Sequence, residues 1–365
     1  MNPRTMSRIR PVTLAPALAV AALLLSAACA TTPVPETRSA AAPATVAPAP
    51  ATATAAIGVA KREFADPERS NWPQTGPRPL RTILWYPASA GGTPETQEVY
   101  GRDKALLRDA PLAGGASRPL ILLSHGAGSR ADHMAWLGHV LAGRGFIVAA
   151  VEHNGSPEEE LHSRPTPSDH FAWERARDLS TVLDALLRDP AIAPAIDRAR
   201  IGAAGFSLGG TTVLWLAGAR FDLAHLVRNA PPMPADRKGA IEALIRLPQS
   251  NGAARDAQQR AEISHRDPRV RSVFALAPAM GFGFPTEGLR DVEVPVRIVV
   301  GDADPVTPAA PNARHFAEGI AGARYLEVPG ERGHYTGATP AEVRAAELEE
   351  IADMAADFFD ETLQP

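Results

Sequence analysis

The segment Ile201-Gly-Ala-Ala-Gly-Phe-Ser-Leu-Gly-Gly-Thr-Thr-Val-Leu-Trp-Leu-Ala-Gly218 decides the fold of this chain. Its small, apolar start predicts a buried strand over Ile201–Ala204, and its apolar second half predicts a helix over Leu208–Ala219. Ser207 stands between them in Gly-x-Ser-x-Gly, the spacing of a sharp turn that exposes a serine hydroxyl. A side chain at either flanking glycine would collide with the neighbouring strand or helix. The segment therefore predicts a strand, a strained turn and a helix whose first N–H groups face negative charge.

A serine hydroxyl attacks a carbonyl near neutral pH only when a base takes its proton and a third group orients that base. At a turn of this kind, the acid and then the histidine follow the serine along the chain. Of the four histidines after Ser207, His225 and His265 fall in an excursion from the sheet, and His315 falls in a predicted helix. His334 follows the last predicted strand, in a Gly-rich loop. We therefore predict that His334 is the base.

The acid is expected at the carboxyl end of a strand, because open parallel sheets build their sites there. The predicted strand Val294–Val300 runs into two carboxylates, Asp302 and Asp304. Asp304 stands in Gly-x-x-Asp-x-x-x-Pro, in a loop stiffened by proline, and it is the preferred acid. Asp302 directly follows a glycine and is interpreted as a residue that organises the turn through its own backbone. It stays an alternative for the acid.

Two backbone N–H groups must face the oxygen that becomes negative during the attack. One is predicted from Leu208, the residue after the serine. The other is predicted from His125-Gly-Ala-Gly128, the loop after an apolar strand that begins at Pro119. Ala127 is the preferred donor, because the glycines on either side of it permit a close approach. His125 itself is interpreted as a structural partner of this loop.

Three further polar residues, Glu152, His153 and Asn154, follow a predicted buried strand at its carboxyl end. Their position allows contact with a substrate. Residues in such places more often satisfy the backbone of neighbouring loops, so both interpretations stay open.

Strands and helices alternate along most of the chain. Beyond the serine segment, β-rich runs are predicted at Arg81–Pro87, Pro119–Ser124, Phe146–Val151, Val270–Ala277, Val294–Val300 and Tyr325–Val328. Helices are predicted at Asp132–Leu141, Trp173–Leu187 and Asn312–Ile320, and after the capping sequence at Thr339. Gly91–Arg118 is predicted to be a polar connection around a short helix. This alternation predicts an α/β fold with a mostly parallel sheet covered by helices on both faces.

An excursion, roughly Phe221–Pro268, separates the helix after the serine from the next predicted strand. It is predicted to hold one helical piece, Ile241–Leu247, and much loop. An insertion at residues 221–268 either covers the site as a lid or packs on the surface without that role.

The first residues have the pattern of an export signal. Three arginines within the first ten residues precede the apolar run Val12–Ala28 and small residues around Cys29, which predicts a signal peptide over residues 1–29. Cys29 is the single cysteine of the chain, and Leu25-Ser-Ala-Ala-Cys29 resembles a bacterial lipobox. We therefore expect an envelope protein attached to the membrane through a lipid on Cys29. Cleavage by ordinary signal peptidase, which would release a periplasmic or secreted protein, is the alternative.

Residues 30–56 are rich in Ala, Pro and Thr and show no apolar periodicity, which predicts an extended linker. The formal net charge is −4, and no basic block lies outside the first ten residues, so we expect no nucleic-acid partner. The histidines and carboxylates lack metal-ligand spacing, and no nucleotide-binding glycine motif follows a strand. We therefore expect no metal and no cofactor.

The order of these motifs over Arg81–Leu363 resembles the α/β-hydrolase superfamily, which implies a hydrolase domain at residues 57–365. Within it, Leu84-Trp-Tyr-Pro87, Leu123-Ser-His-Gly-Ala-Gly128 and Arg177-Asp-Leu-Ser-Thr-Val-Leu-Asp184 are similar to bacterial dienelactone-hydrolase-like proteins related to platelet-activating-factor acetylhydrolases. Two departures stand out. Dienelactone hydrolases use a cysteine where this chain has Ser207. The acetylhydrolases place their acid after an earlier strand, where this chain reads Ala275-Leu-Ala-Pro-Ala-Met280.

The resemblance and the residues together predict an exported serine hydrolase that cleaves small-molecule or lipid carboxylic esters through an acyl-enzyme, with Ser207, Asp304 and His334 as its triad. Hydrolysis of amides or peptides by the same residues is the alternative chemistry. A lipoprotein that binds a ligand on a hydrolase scaffold without catalysis is the alternative from another class.

Overall fold

The computed structural model describes residues 56–99, 101–155, 167–230, 235–335 and 341–364. All of them belong to one unit of the chain, Thr52–Pro365. The predicted signal peptide, Cys29 and almost all of the predicted linker lie outside the described residues, so those predictions are not addressed by the structure.

Ten strands form one sheet. They are β1 (Ala56–Ser70), β2 (Pro77–Ala88), β3 (Thr93–Val99), β4 (Arg102–Arg108), β5 (Arg118–Ser124), β6 (Ile147–Val151), β7 (Ile196–Phe206), β8 (Val270–Leu276), β9 (Val296–Gly301) and β10 (Arg324–Val328). Their order across the sheet is β10-β9-β8-β7-β5-β6-β2-β1-β4-β3. The strands from β5 to β10 are parallel to their neighbours, whereas β2 joins β6 in antiparallel pairing. The predicted mostly parallel sheet is confirmed.

Ten α-helices accompany the strands in the described residues. They are α1 (Ala135–Gly143), α2 (Pro167–His170), α3 (Glu174–Leu186), α4 (Leu208–Ala217), α5 (Leu223–Asn229), α6 (Ala235–Ser250), α7 (Gly252–Gln259), α8 (Thr286–Leu289), α9 (His315–Gly319) and α10 (Ala341–Thr362). Helix α1 packs against α10, and α3 packs against α4. Every residue of β6 is buried, and because successive side chains point to opposite faces, the sheet is covered on both faces there.

The predicted connection over Gly91–Arg118 is wrong in one respect, because it holds the antiparallel hairpin β3–β4 rather than a short helix. This hairpin is the edge of the sheet, and most side chains of β3 are exposed on both faces. An edge strand that is exposed to solvent on both faces needs no alternation of apolar and polar residues, so its sequence is indistinguishable from that of a polar loop.

The excursion at residues 221–268 also differs from the prediction. It contains three helices, α5 to α7, rather than one helical piece and much loop. Two of the three begin at a side chain that accepts a backbone N–H: Asp222 accepts from His225 N at 2.6 Å, and Asn251 accepts from Ala254 N at 2.9 Å. Such caps stabilise short helices by satisfying N–H groups of the first turn.

Helix α10 packs against α1 and β8, and it buries Leu348, Ile351, Ala355 and Phe358. The capping sequence proposed at Thr339 lies outside the described residues. Among the helices that the structure describes, none is both long and apolar enough to cross a membrane.

Candidate active site

Ser207 lies at the turn between β7 and α4, in a conformation that side chains rarely adopt. Its φ is 55° and its ψ is −120°. A positive φ is uncommon for a residue other than glycine and costs about 1–3 kcal/mol, so the surroundings must hold it. One such restraint is the hydrogen bond from Ser207 N to Leu276 O of β8, at 2.8 Å. The strained turn expected from the sequence is present.

The two glycines that flank the turn are required by close backbone contacts. A Cβ atom placed on Gly205 would overlap the carbonyl oxygen of Gly209, at the start of α4. A Cβ atom on Gly209 would overlap the carbonyl oxygen of Ser124, at the end of β5. Both obstacles are backbone atoms, which cannot move aside as a flexible side chain can. The helix therefore begins directly against the neighbouring strand, with Ser207 above it.

The structure brings Ser207, His334 and Asp304 into one hydrogen-bonded row, which we call the elbow set. His334 Nε2 lies 3.1 Å from Ser207 Oγ, and His334 Nδ1 lies 2.6 Å from Asp304 Oδ2. A carboxylate only accepts hydrogen bonds, so Nδ1 carries a proton and Nε2 is left to accept the proton of Ser207. The ring of His334 also packs on Phe206, with the centroids 5.0 Å apart.

The carboxylate of Asp304 is surrounded by neutral donors besides His334. Its Oδ1 accepts Val306 N at 2.8 Å and Thr307 N at 2.9 Å, and its Oδ2 accepts Thr307 Oγ1 at 2.8 Å. Burial raises the pKa of Asp304, but the hydrogen bond and charge of His334 and the donors of Thr307 outweigh it. The pKa of Asp304 therefore lies below its usual value, and the side chain is an anion near neutral pH.

Asp302, the alternative acid, lies apart from this row. Its carboxylate accepts Gly330 N at 3.0 Å and Arg332 N at 2.8 Å. The interpretation of Asp302 as an organiser of its own turn is therefore incomplete, because it ties its turn to the loop that carries His334. The contact spans 28 residues or more in sequence, so no local pattern could reveal it.

Of the two predicted backbone donors, Leu208 directly follows Ser207, and Ala127 belongs to a loop that runs beside it. Leu208 is the first residue of α4, and the first N–H groups of a helix have no partner within the helix. The loop His125–Gly128, which we call the 125–128 loop, follows β5. A Cβ atom placed on Gly126 would lie 3.4 Å from Ser207 Cβ, so the loop runs beside the serine. The roles of Ala127 and Leu208 as oxyanion donors stay a prediction.

The polar residues after β6 serve neighbouring segments in the structure. Glu152 accepts Ala131 N at 2.7 Å. Asn154 accepts Trp72 N at 3.3 Å through its side chain and Trp72 Nε1 at 2.9 Å through its carbonyl. These contacts favour the interpretation that Glu152 and Asn154 satisfy loop backbone and side chains.

His153 belongs to a second Ser–His–Asp arrangement, which sequence reasoning missed. Its Nε2 lies 2.9 Å from Ser124 Oγ, and its Nδ1 lies 2.9 Å from Asp178 Oδ2. We call Ser124, His153 and Asp178 the buried set, because all three are 0% exposed. The sequence offers no signal for it, because Ser124 ends a buried strand and Asp178 lies on the inner face of a helix.

Two arginines surround the acid of the buried set. Asp178 accepts Arg69 Nη2 at 2.6 Å, Arg78 Nε at 2.7 Å and Arg78 Nη2 at 2.9 Å. Burial raises the pKa of Asp178, but Arg78 and Arg69 outweigh it and hold that pKa well below its usual value. Burial and the charge of Arg175 lower the pKa of His153 to about 4. His153 is therefore neutral near neutral pH.

Comparison with known proteins agrees with the fold. A family model described as PET hydrolase-like matches residues 110–242. Cutinase est2 of Thermobifida alba is 33% identical over 113 residues, which cover 30% of this chain and 34% of the cutinase. A platelet-activating factor acetylhydrolase of Canis lupus familiaris is 30% identical over 147 residues, which cover 29% of this chain and 33% of that enzyme. The chain thus spans about a third of the length of these curated relatives.

A solved structure extends the likeness to most of the chain. The ferulic acid esterase from Streptomyces cinnamoneus superimposes with a TM-score of 0.57, over 87% of this chain and 92% of that chain, at 23% sequence identity. An identity this low shows a shared fold alone. Together with the parallel sheet, the serine turn after β7 and the partial matches above, it shows that this chain has the α/β-hydrolase fold.

Proposed function

We propose that this chain is a serine hydrolase that cleaves carboxylic esters, with Ser207 as nucleophile, His334 as base and Asp304 as the acid that orients it. One observation carries the proposal: Ser207 Oγ lies 3.1 Å from His334 Nε2 while Asp304 holds the other ring nitrogen at 2.6 Å. That separation is within the reach that proton transfer requires. The strained backbone at Ser207 adds support, because such strain concentrates at functional sites.

The proposed reaction has two halves. Ser207 Oγ bonds to the acyl carbon as its proton passes to His334 Nε2, and the ester C–O bond then breaks as that proton passes to the leaving alcohol. Water then attacks the acyl carbon as its proton passes to His334, and the bond between Ser207 Oγ and the acyl carbon breaks as that proton passes to Ser207, which releases the free acid. The Leu208 and Ala127 N–H groups stabilise the oxyanion in both halves, and losing one such donor typically costs about 10²–10³ in rate. The reaction balances without a cofactor.

Esters are proposed as substrates because the relatives include enzymes named cutinase, acetylhydrolase and ferulic acid esterase. The test is turnover of p-nitrophenyl acetate and butyrate by the purified protein and by Ser207→Ala. We expect turnover that the substitution abolishes. Equal rates for the two proteins would refute the proposal.

Amide hydrolysis is the second candidate, and one match favours it. Dipeptidyl-peptidase 5 of Porphyromonas gingivalis is 34% identical over 83 residues, which cover 23% of this chain and 12% of that enzyme. The two chemistries separate when p-nitrophenyl esters are compared with p-nitroanilides of the same acyl groups. A kcat/KM for the anilides that matches or exceeds that for the esters would replace the ester proposal with this one.

A binding protein without catalysis is the candidate from another class. A fluorophosphonate probe separates it from the enzyme, because the probe forms a stable bond only with an activated serine. A protein that binds lipid esters but takes up no probe would favour the binder.

We also propose export, with a signal peptide over residues 1–29, a linker over 30–56 and a lipid on Cys29. Expression in a bacterial host with a labelled fatty acid tests the lipid, with Cys29→Ser as the control. Label in both proteins or in neither would refute lipidation and favour a released periplasmic or secreted form.

The excursion at 221–268 is proposed as a lid, and its exposed Val227, Ile245 and Ile263 give it apolar surface for that role.

A further inference from the structure

The carbonyl groups of the 125–128 loop are held from the side that faces away from solvent. Arg175, on α3, donates from Nη1 to His125 O at 2.8 Å and from Nη2 to Gly126 O at 3.4 Å. His125 Nδ1 lies 2.8 Å from Gly126 O, and since a carbonyl only accepts, that nitrogen is the donor. Two side chains thus converge on the single carbonyl of Gly126.

A trans peptide group holds its C=O and its N–H on opposite sides. Fixing the Gly126 carbonyl therefore also fixes the direction of the Ala127 N–H, which belongs to the same peptide plane. A Cβ atom placed on Gly126 would lie 3.4 Å from Ser207 Cβ, so the peptide group that joins Gly126 to Ala127 lies close to the serine. We propose that Arg175 is a positioning residue, which keeps the Ala127 N–H aimed at the oxyanion that forms above Ser207.

The charge environment of Arg175 fits this role. Arg175 is 1% exposed, and its ion pair with Asp169 is 3.8 Å long, a full ångström longer than its bond to His125 O. The neighbouring Arg69 instead makes close contacts with the carboxylates of Asp66 and Asp178, both at 2.6 Å. A buried guanidinium is costly unless its donors are used. For Arg175, the bond to the backbone carbonyl of His125 is shorter than the contact with the carboxylate of Asp169.

Asp169 connects the same arginine to the far end of the loop. Its Oδ1 accepts Gly128 N at 3.4 Å and lies 3.8 Å from Arg175 Nη2. Arg175 thus binds the carbonyls of His125 and Gly126, and its partner Asp169 binds the N–H of Gly128. The loop is therefore restrained on both sides of Ala127.

The inference rests on the proposed ester hydrolysis, and its test is the kinetics of Arg175→Lys with Arg69→Lys as the matched control. Lysine keeps the charge but cannot reach both carbonyls in a fixed plane. Arg69 is also buried, and within the described residues none of its hydrogen bonds reaches the 125–128 loop. We expect Arg175→Lys to lower kcat about 10²-fold with KM nearly unchanged, because an oxyanion donor acts mainly in the transition state. We expect Arg69→Lys to lose thermal stability while it keeps its kcat.

The affinity for a boronic acid inhibitor separates positioning of the oxyanion donor from a purely structural role of Arg175. The inhibitor forms a tetrahedral adduct on the serine with a negative oxygen, so its Ki should rise in Arg175→Lys by the same factor as kcat/KM falls. If Arg175→Lys does not fold, the same kinetics are measured on Asp169→Asn, for which we expect a smaller loss of kcat at unchanged KM. A kcat in the folded Arg175 or Asp169 variant that equals that of Arg69→Lys would overturn the inference. A wild-type protein that turns over no ester would overturn the proposed function instead.

Discussion

The part of the chain that the structure describes holds two Ser–His–Asp sets with nearly the same hydrogen-bond geometry, and we propose catalysis for only one of them. In the elbow set the serine and histidine are 3.1 Å apart, and in the buried set they are 2.9 Å apart. The histidine–acid distances are 2.6 Å and 2.9 Å. Distances alone would therefore rank the two sets as equals.

The sets differ in access and in charge. Ser207 is 7% exposed at a strained turn, whereas Ser124 is 0% exposed within the sheet. Asp304 is held by neutral donors and His334, so its charge is available to stabilise a protonated ring. The charge of Asp178 is already matched by Arg69 and Arg78. Correct spacing is therefore not sufficient for a catalytic histidine. The carboxylate beside it must not already be neutralised by other cations, and the serine must be accessible to a substrate.

Removing each serine in turn is the change with the largest expected contrast. Ser207→Ala should lower kcat by about 10⁴-fold or more, because nothing else can form the acyl-enzyme. Ser124→Ala should leave kcat within about tenfold of wild type and cost about 1–3 kcal/mol of unfolding free energy, because it leaves a buried ring nitrogen without its donor. Ester turnover and urea denaturation measure both. A folded Ser124→Ala protein as inactive as Ser207→Ala would show that the buried set also takes part in catalysis.

Replacing the two acids should separate catalysis from stability. Asp304→Asn should lower kcat by about 10³–10⁴-fold with little loss of stability, because the amide favours the wrong tautomer of His334. Asp178→Asn should lower the free energy of unfolding by about 3–5 kcal/mol, because it removes the carboxylate charge that pairs with the buried Arg78 and Arg69. Steady-state kinetics and denaturant titrations give the two numbers. Similar kcat losses in both folded variants would contradict the division of roles.

The buried histidine should make the fold sensitive to acid. The pKa of His153 is lowered to about 4 in the folded protein, against about 6.5 in an unfolded chain. Between these values the unfolded state binds the extra proton, so stability is complete above pH 6.5 and falls as the pH drops towards 4. His153 alone contributes a loss of about 1.4 kcal/mol per pH unit in this range.

Urea denaturation between pH 7 and pH 4.5 measures that slope. We expect His153→Gln to lower the slope, whereas His133→Gln, at a half-exposed position, should keep the wild-type slope. His125 is also buried with a lowered pKa and should keep part of the slope in His153→Gln. Identical slopes in wild type and His153→Gln would show that the buried set does not control acid stability.

The smallest effect is expected at Thr307, which joins the elbow set from the side. Its Oγ1 lies 2.8 Å from Asp304 Oδ2 and 3.2 Å from His334 Nδ1. Thr307→Val keeps the shape and removes the hydroxyl, and the loss of one hydrogen bond of about 0.5–1.5 kcal/mol should lower kcat about two- to tenfold. Thr307→Ser should restore the rate. A Thr307→Ser protein no better than Thr307→Val would show that the methyl packing matters and the hydroxyl does not.

The sequence predicted those parts of the molecule whose signals are local. The turn at Ser207 follows from the spacing of two glycines, and the parallel sheet follows from apolar runs such as β5 and β6. The meeting of Ser207, Asp304 and His334 was predictable because strand ends of a parallel sheet share one edge.

The missed parts depend on contacts between distant residues. The hairpin β3–β4 has no apolar alternation because it is an exposed edge. The contact of Asp302 with the His334 loop and the convergence of Arg69, Arg78 and His153 on Asp178 join segments up to 109 residues apart. A charged residue on a helix reads as a surface residue until the fold shows that its face is turned inward.

The most direct test of the central claim is to locate the covalent adduct of a fluorophosphonate probe by peptide mass spectrometry. We expect one adduct, on Ser207, that is lost in His334→Ala and retained in His153→Gln. An adduct on Ser124, or labelling of Ser207 that persists without His334 but disappears without His153, would contradict it.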